Sequence, residues 1–396
     1  MLRALFVTGS FAYGGVENHA ITLMNRLVER GHECHAAYIK DNHALLDRVR
    51  LRSESAVRCL EAERFLDRSA LAELAALIAN LQPTAIIAAN PYPLLYATFA
   101  RRLVRARGAM VVTCHATKLA GPKEFLKMLL YRPLFWTADC AVFVCDRQRR
   151  YWRRRGLLAR HNAVIYNGVD TDKFTDTTTR EQRAATRHVF GFAESDFVIG
   201  TLGDLRKEKN QIELVAAVER LRGAGIPARA LLIGDGAQRT EIYACARERG
   251  VAGDIAITGF VHDVRPFVAA SDAVAVCSVT AGMSLATLEA MALCKPVVHS
   301  NVAGAAEMIH PGYNGFLFRV NDTTALVEHL TRLTNRDDRL SVGAHARGIV
   351  EKRFSERKMI ESYESLLLEL TGDSDDQHRS ARGRRNGTLE SGSGGP

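Results

Sequence analysis

No apolar run in the 396-residue chain approaches ~18 residues, so a membrane-spanning helix is not expected. Near the start only Ala4 to Val7 is continuously apolar before Gly9, too short for the core of a secretory signal. The eight cysteines include no CxxC pair. Cys114, Cys140, Cys145, Cys277 and Cys294 lie in or beside apolar stretches, which predicts buried free thiols in a reducing, cytoplasmic setting. His32 and His35 lack the HExxH spacing that puts two ligands on one helical face, and no metal or cofactor is assigned. GxGxxG and GxxxxGK[ST] are both missing, which disfavours dinucleotide enzymes and P-loop NTPases.

What is present is an alternation. Apolar strand-like runs (Ala4–Thr8, Cys34–Ile39, Ala85–Ala89, Val111–Cys114, Ala141–Cys145, Ala163–Tyr166) are separated by amphipathic helical stretches. In 16–30, Val16, Ala20, Leu23, Leu27 and Val28 share a stripe and Gly31 stops the helix. A Thr-rich stretch interrupts the rhythm, and the alternation restarts with Val198–Leu202, Ala230–Ile233, Ile255–Thr258, Ala273–Cys277 and Pro296–His299. The pattern predicts an α/β protein of two doubly wound domains, residues 1–171 and 196–350, with 172–195 as linker. A last helix, 351–372, is expected to end at Gly372, and 373–396 has the composition of a disordered tail.

Charge is uneven. Residues 1–170 carry 25 Lys and Arg against 14 Asp and Glu, while the remainder carries 28 against 30. Within 101–160 the ratio is 15 to 3. So concentrated a field suits an anionic partner of the first domain, the alternative being a solvated arginine-rich surface. Arg147, Arg150 and Arg154 fall at i, i+3, i+7, and Lys123, Lys127 and Arg132 interleave with Phe125, Leu126, Met128 and Leu129. Such a basic amphipathic stretch suggests an anionic membrane surface as partner. No nucleic-acid-binding fold is recognised, so that partner is not expected.

Ligands of doubly wound sheets bind beyond the carboxyl ends of the strands, and the unusual residues fall there. Gly14 and Gly15 precede the first helix, where backbone N–H groups can approach a phosphate or sugar. His115 follows a strand directly. Arg206, Lys207 and Lys209 follow the first strand of the second half, where cations can neutralise charge on a departing diphosphate. Gly282-Met283-Ser284-Leu285 opens a helix, and Glu289 lies further along it, suited to grip a ribose diol.

Together these residues resemble the retaining GT-B glycosyltransferases of family 4, from about Val7 to about Leu370. The resemblance rests on the run from Val164 to Asp170 with Phe174, on Leu231 to Gly236 with Arg239, and on Ile257 to Val261. It is completed by Leu288 to Ala292 with Lys295 to Val298. It implies donor binding by Gly14, Gly15, Gly236, Arg239, Val261, Gly282, Met283, Ser284, Leu285 and Glu289. It also places Lys209 on the diphosphate, His115 near the reacting sugar, and the last helix back on the first domain. Two positions depart from the family pattern. Asp204 stands where an Arg is usual, with Arg206 as a substitute cation, and Ala281 replaces the first glutamate of the E-x7-E pair.

The expected activity is metal-independent transfer of a sugar from a nucleotide diphosphate donor (UDP- or GDP-linked) to a glycan or lipid-linked acceptor. The expected location is cytoplasmic, or peripheral at the inner membrane face. A sugar-nucleotide epimerase of the same fold and a non-catalytic sugar-nucleotide binder are the alternatives.

Overall fold

The computed structural model describes residues 1–52, 56–115, 122–280 and 282–386. Seven strands form the first sheet: β1 Arg3–Thr8, β2 Glu33–Tyr38, β3 Val57–Cys59, β4 Ala85–Ala89, β5 Ala109–Cys114, β6 Cys140–Phe143 and β7 His161–Val164. Every pairing is parallel, in the order β3-β2-β1-β4-β5-β6-β7. The second sheet has six parallel strands: β8 Phe197–Leu202, β9 Ala228–Ile233, β10 Ile255–Ile257, β11 Ala273–Val276, β12 Val297–Ser300 and β13 Phe316–Phe318. Its order is β10-β9-β8-β11-β12-β13.

Parallel strands covered on both faces need near-continuous apolar sequence, and β4 and β5 are buried at every position. Alternate residues of the first sheet feed two cores. Leu5, Val7, Ile86 and Val112 pack with the helices Arg68–Leu81 and Pro91–Leu103; Phe6, Ile87 and Val111 pack with the helix Gly15–Glu29. The chain order reverses between β1 and β4, and again between β8 and β11. Each reversal opens a crevice at the strands' carboxyl ends, which is where a ligand site is expected.

The stretch expected to be a linker contains the helix Arg180–Val189, with Thr179 and Gln182 forming a reciprocal capping box. This helix sits on the second domain: Arg187 donates to Ala270 O at 2.9 Å and pairs with Asp272 at 2.9 Å. The last helix, Glu356–Asn386, returns to the first domain, where Met359, Ile360, Tyr363 and Leu367 join the core around Phe6 and Met24. It continues through Gly372, where the sequence predicted an end, and on to Asn386 within the stretch expected to be a disordered tail, of which 387–396 lie outside the described residues. A single glycine costs a helix only about 1 kcal/mol and need not stop it. Cys294 is exposed rather than buried, on a turn where its own φ is +56°. Among the described residues no helix is long and apolar enough to cross a membrane.

Candidate active site

The two crevices face one another across a seam stitched by named contacts. Asn167 Nδ2 donates to Met283 O at 3.0 Å. Glu307 accepts from the backbone N–H of Asp146 (2.9 Å) and Arg147 (2.8 Å) and from the Tyr166 hydroxyl (3.0 Å). A carboxylate of the second domain thus sits at the positive end of a first-domain helix, Asp146–Arg153. Further along, the Tyr13 and Phe260 rings lie 4.8 Å apart, and a β-carbon on Gly15 would lie 4.0 Å from Leu285 Cδ1. Gly15, Leu285 and the Phe260–Val261 loop therefore meet at the cleft.

On the first-domain side, β5 delivers His115 to the sheet edge. Its backbone N–H donates to Asn90 Oδ1 at 3.2 Å, and Asn90 turns the chain after β4 at φ +81°. The His115 ring stands edge-on to His19 at 4.7 Å, and His19 in turn to Tyr363 of the last helix at 5.4 Å. Burial pushes the His115 imidazole down to about 4, so the ring is neutral at physiological pH. Its Nε2 is buried and has no hydrogen-bond partner among the described residues. Beside it, between the ends of β1 and β4, lies a pocket of about 160 Å³ lined by Thr8, Glu17, Asn90 and Tyr92 among others.

On the second-domain side, three loops converge. Leu205 N–H donates to Asp235 O and Gln238 N–H to Leu205 O, both at 2.9 Å, which binds the loop after β8 to the loop after β9. Gly236 is indispensable here. Its φ is +157°, and a β-carbon would fall 2.5 Å from Leu205 O. Val279 N–H donates to Glu208 O at 2.9 Å, tying in the loop after β11. Ser284 then caps the helix Leu285–Ala292, accepting from Thr287 N–H at 3.2 Å.

Lys209 lies within this knot. Burial, and then the neighbouring Arg206, lower its pKa, and its ammonium forms no ion pair among the described residues. Its charge is felt by His299, which burial holds down to about 4. Arg206 instead pairs with Asp204 at 3.4 Å, both well exposed, so the cation expected to compensate for Asp204 is engaged with Asp204 itself. Arg239 pairs with Asp235 at 3.1 Å. Burial pushes the Glu289 carboxyl up to about 7, countered in part by Lys173. Ala281 lies outside the described residues.

The sequence reading missed His19, Asn90, His299 and Glu307; Asn167 fell within the run from Val164 to Asp170, but without its contact to Met283. Asn90 carried a signal, since Asn-Pro at a strand end marks a turn. Glu307 carried none, because its partners lie about 160 residues away in sequence and only the docked domains bring them together.

Comparison with known proteins agrees with this geometry. The profile of the family Glycosyltransferase Family 4 matches residues 13–173, and that of Glycosyl transferases group 1 matches residues 196–336. The chain is 27% identical over 274 residues to the putative glycosyltransferase EpsD of Bacillus subtilis (strain 168), covering 67% of this chain and 71% of that protein. It is 24% identical over 211 residues to the UDP-Gal:alpha-D-GlcNAc-diphosphoundecaprenol alpha-1,3-galactosyltransferase of Escherichia coli, covering 52% and 54% of the two. The crystal structure of Anabaena HepE in complex with UDP-glucose superposes with a TM-score of 0.80 at 21% identity, over 93% of this chain and 99% of that one.

Proposed function

The chain belongs to family 4 of the glycosyltransferases, the glycosyl transferases group 1, and from that premise we propose that it moves a sugar from a nucleoside diphosphate donor to a glycan or lipid-linked acceptor, with retention at the anomeric carbon. The observation that carries this reading is Lys209, a partly buried ammonium that makes no direct ion pair among the described residues, Asp204 and Glu208 acting on it only through their charge. A cation held from water without a direct ion pair is costly unless an anion completes it. The diphosphate of a sugar nucleotide is that anion, and the N–H groups opening the helix Leu285–Ala292 lie in the adjoining loop.

In this reading Lys209 takes up charge as the diphosphate leaves, and Glu289 accepts hydrogen bonds from the ribose hydroxyls. His115, neutral and with Nε2 unengaged among the described residues, meets the transferred sugar at the first-domain edge. Gly14 and Gly15 allow donor and acceptor to approach between the domains. Departure and attack are taken to occur on one face of the sugar, so that positioning carries much of the catalysis. The cations of the loop after β8 stand in for a metal. The relatives' names, EpsD and the Escherichia coli galactosyltransferase among them, favour transfer over epimerisation.

The test is a thermal-shift screen of UDP, GDP and ADP, followed by release of the preferred nucleotide from its sugar conjugates in the presence of glycan and undecaprenyl-linked acceptors. A native-state ligand raises the unfolding midpoint. Failure of every nucleoside diphosphate to shift it would refute the reading.

A further inference from the structure

The helix Pro122–Trp136 turns one side into the first domain's core, where Met128, Leu134 and Phe135 are buried. Its other side leaves Leu126 63% exposed, Leu129 38%, Leu130 66% and Trp136 61%. At about 3.6 residues per turn these four fall within one arc of roughly 120°, with exposed Pro133 in its middle. A surface helix ordinarily carries charge on that side, so a contiguous apolar arc marks an interaction face.

Cations frame the arc at both flanks. Arg101 donates to the Thr137 carbonyl at 3.5 Å, which brings the end of the helix Pro91–Leu103 beside Trp136. Leu103, 63% exposed, and the exposed Arg102 and Arg105 come with it. On the opposite flank the Arg132 guanidinium lies against Gly156, next to exposed Arg153 and Arg154. Residues 101–160 hold 15 Lys and Arg against 3 Asp and Glu, so whatever covers the arc must tolerate or favour a strong positive field.

We propose that this face docks on an anionic lipid bilayer, the Leu126–Leu129–Leu130–Trp136 row entering the boundary between headgroups and acyl chains while the flanking arginines meet lipid phosphates. A second protein copy would bring the same positive field and repel; an anionic bilayer supplies both the apolar layer and the opposite charge. Tryptophan suits that boundary because its ring is apolar and its N–H polar. The structure also changes which residues act. Met128, expected on the inserted face, belongs to the core, and Arg147, Arg149 and Arg150 are engaged by Asn301 (3.1 Å) and Asp146 (2.6 and 2.5 Å). The leucine–tryptophan row is the inserting element, not the arginine helix. Docking of this kind deepens, and rests on, the acceptor class proposed above, since a lipid-linked acceptor is presented at a bilayer surface.

Co-sedimentation of the full chain with phosphatidylglycerol and phosphatidylcholine vesicles tests it. Binding should favour phosphatidylglycerol by about tenfold or more at low salt and fall as salt rises. The double variant L126E/L130E should lose about tenfold or more of that binding while keeping the wild-type unfolding midpoint. Trp136 is one of two tryptophans and Trp152 is buried, so anionic vesicles should shift the emission to the blue and W136F should abolish the shift. Wild-type protein left in the supernatant with phosphatidylglycerol at low salt would overturn the proposal, as would undiminished binding of L126E/L130E. A dimer that L126E/L130E converts to monomer, without lipid binding by the wild type, would assign the row to a second copy and also overturn it. Vesicle binding without any nucleotide-induced thermal shift would leave docking standing and remove the functional reading instead.

Discussion

Glu289→Gln should do two opposite things at once. The Glu289 carboxyl sits at about 7 in the folded protein against an ordinary value of 4.5. Because the folded value is the raised one, the sign is that of a destabilising carboxylate. Below about pH 4.5 both states are protonated and the residue is neutral in its effect; the penalty grows as pH rises through this window and is complete above about 7. The shift corresponds to a cost of up to about 3 kcal/mol for holding the ionised group in the unliganded site. Glutamine removes that cost, so E289Q should melt higher than wild type near pH 8 and at the same temperature near about pH 4.5. Donor binding should move the other way. Ribose hydroxyls donate to an ionised carboxylate, so binding and deprotonation are linked. About one site in ten is ionised at pH 6, so a nucleotide sugar should bind about tenfold more weakly there than at pH 8. UDP-glucose is a suitable probe for isothermal titration, because its diphosphate diester does not titrate in this range. E289Q should bind weakly with no such slope. A wild-type affinity flat from about pH 6 to about pH 8, or an E289Q slope equal to that of wild type, would refute the linkage and with it the ribose role.

Lys209→Ala should reduce turnover by an amount equivalent to about 2–4 kcal/mol of transition-state stabilisation, with circular dichroism unchanged; activity within twofold of wild type would take Lys209 out of the site. Gly236→Ala should lower the unfolding midpoint by the equivalent of about 2 kcal/mol, since the added carbon meets Leu205 O in a positive-φ turn, and an unchanged midpoint would mean the two loops yield freely. Transfer activity should survive EDTA, because the loop cations act where a metal otherwise would; loss on chelation with recovery on Mg²⁺ or Mn²⁺ would contradict that.

The long buried strands were readable because a parallel sheet covered on both faces demands unbroken apolar runs, and Ala85–Ala89 or Ala230–Ile233 can be little else. β3 and β13 were not. Each has three residues, too few for any period to show, and β3 carries Arg58 at its centre. The helix Arg180–Val189 had a legible start in Thr179-x-x-Gln182, but its low apolar content reads as linker until Arg187 is seen to anchor it. Of the residues proposed for the donor, Gly236, Val261, Gly282 and Met283 lie in loops after strands, while Arg239 and Glu289 lie in the helices that follow. What escaped was their state: that Arg206 pairs with Asp204, that Lys209 forms no ion pair among the described residues, and that the His115 ring leans on His19. These depend on side chains meeting across loops whose separation in sequence carries no pattern.

Tyr363 has a bearing on how the protein is made. The first sheet ends at Val164, yet one face of it is closed by Met359, Ile360, Tyr363 and Leu367. On the ribosome those residues emerge after the entire second domain, so for most of translation the first domain has an open apolar flank and a His19 ring without its Tyr363 neighbour. Domains that can fold as they emerge generally do so in order from the amino end. Here the first domain can only collapse early and must wait for the last helix before it is complete. The second domain can therefore finish before the first, and the His115 edge of the cleft is among the last features to form.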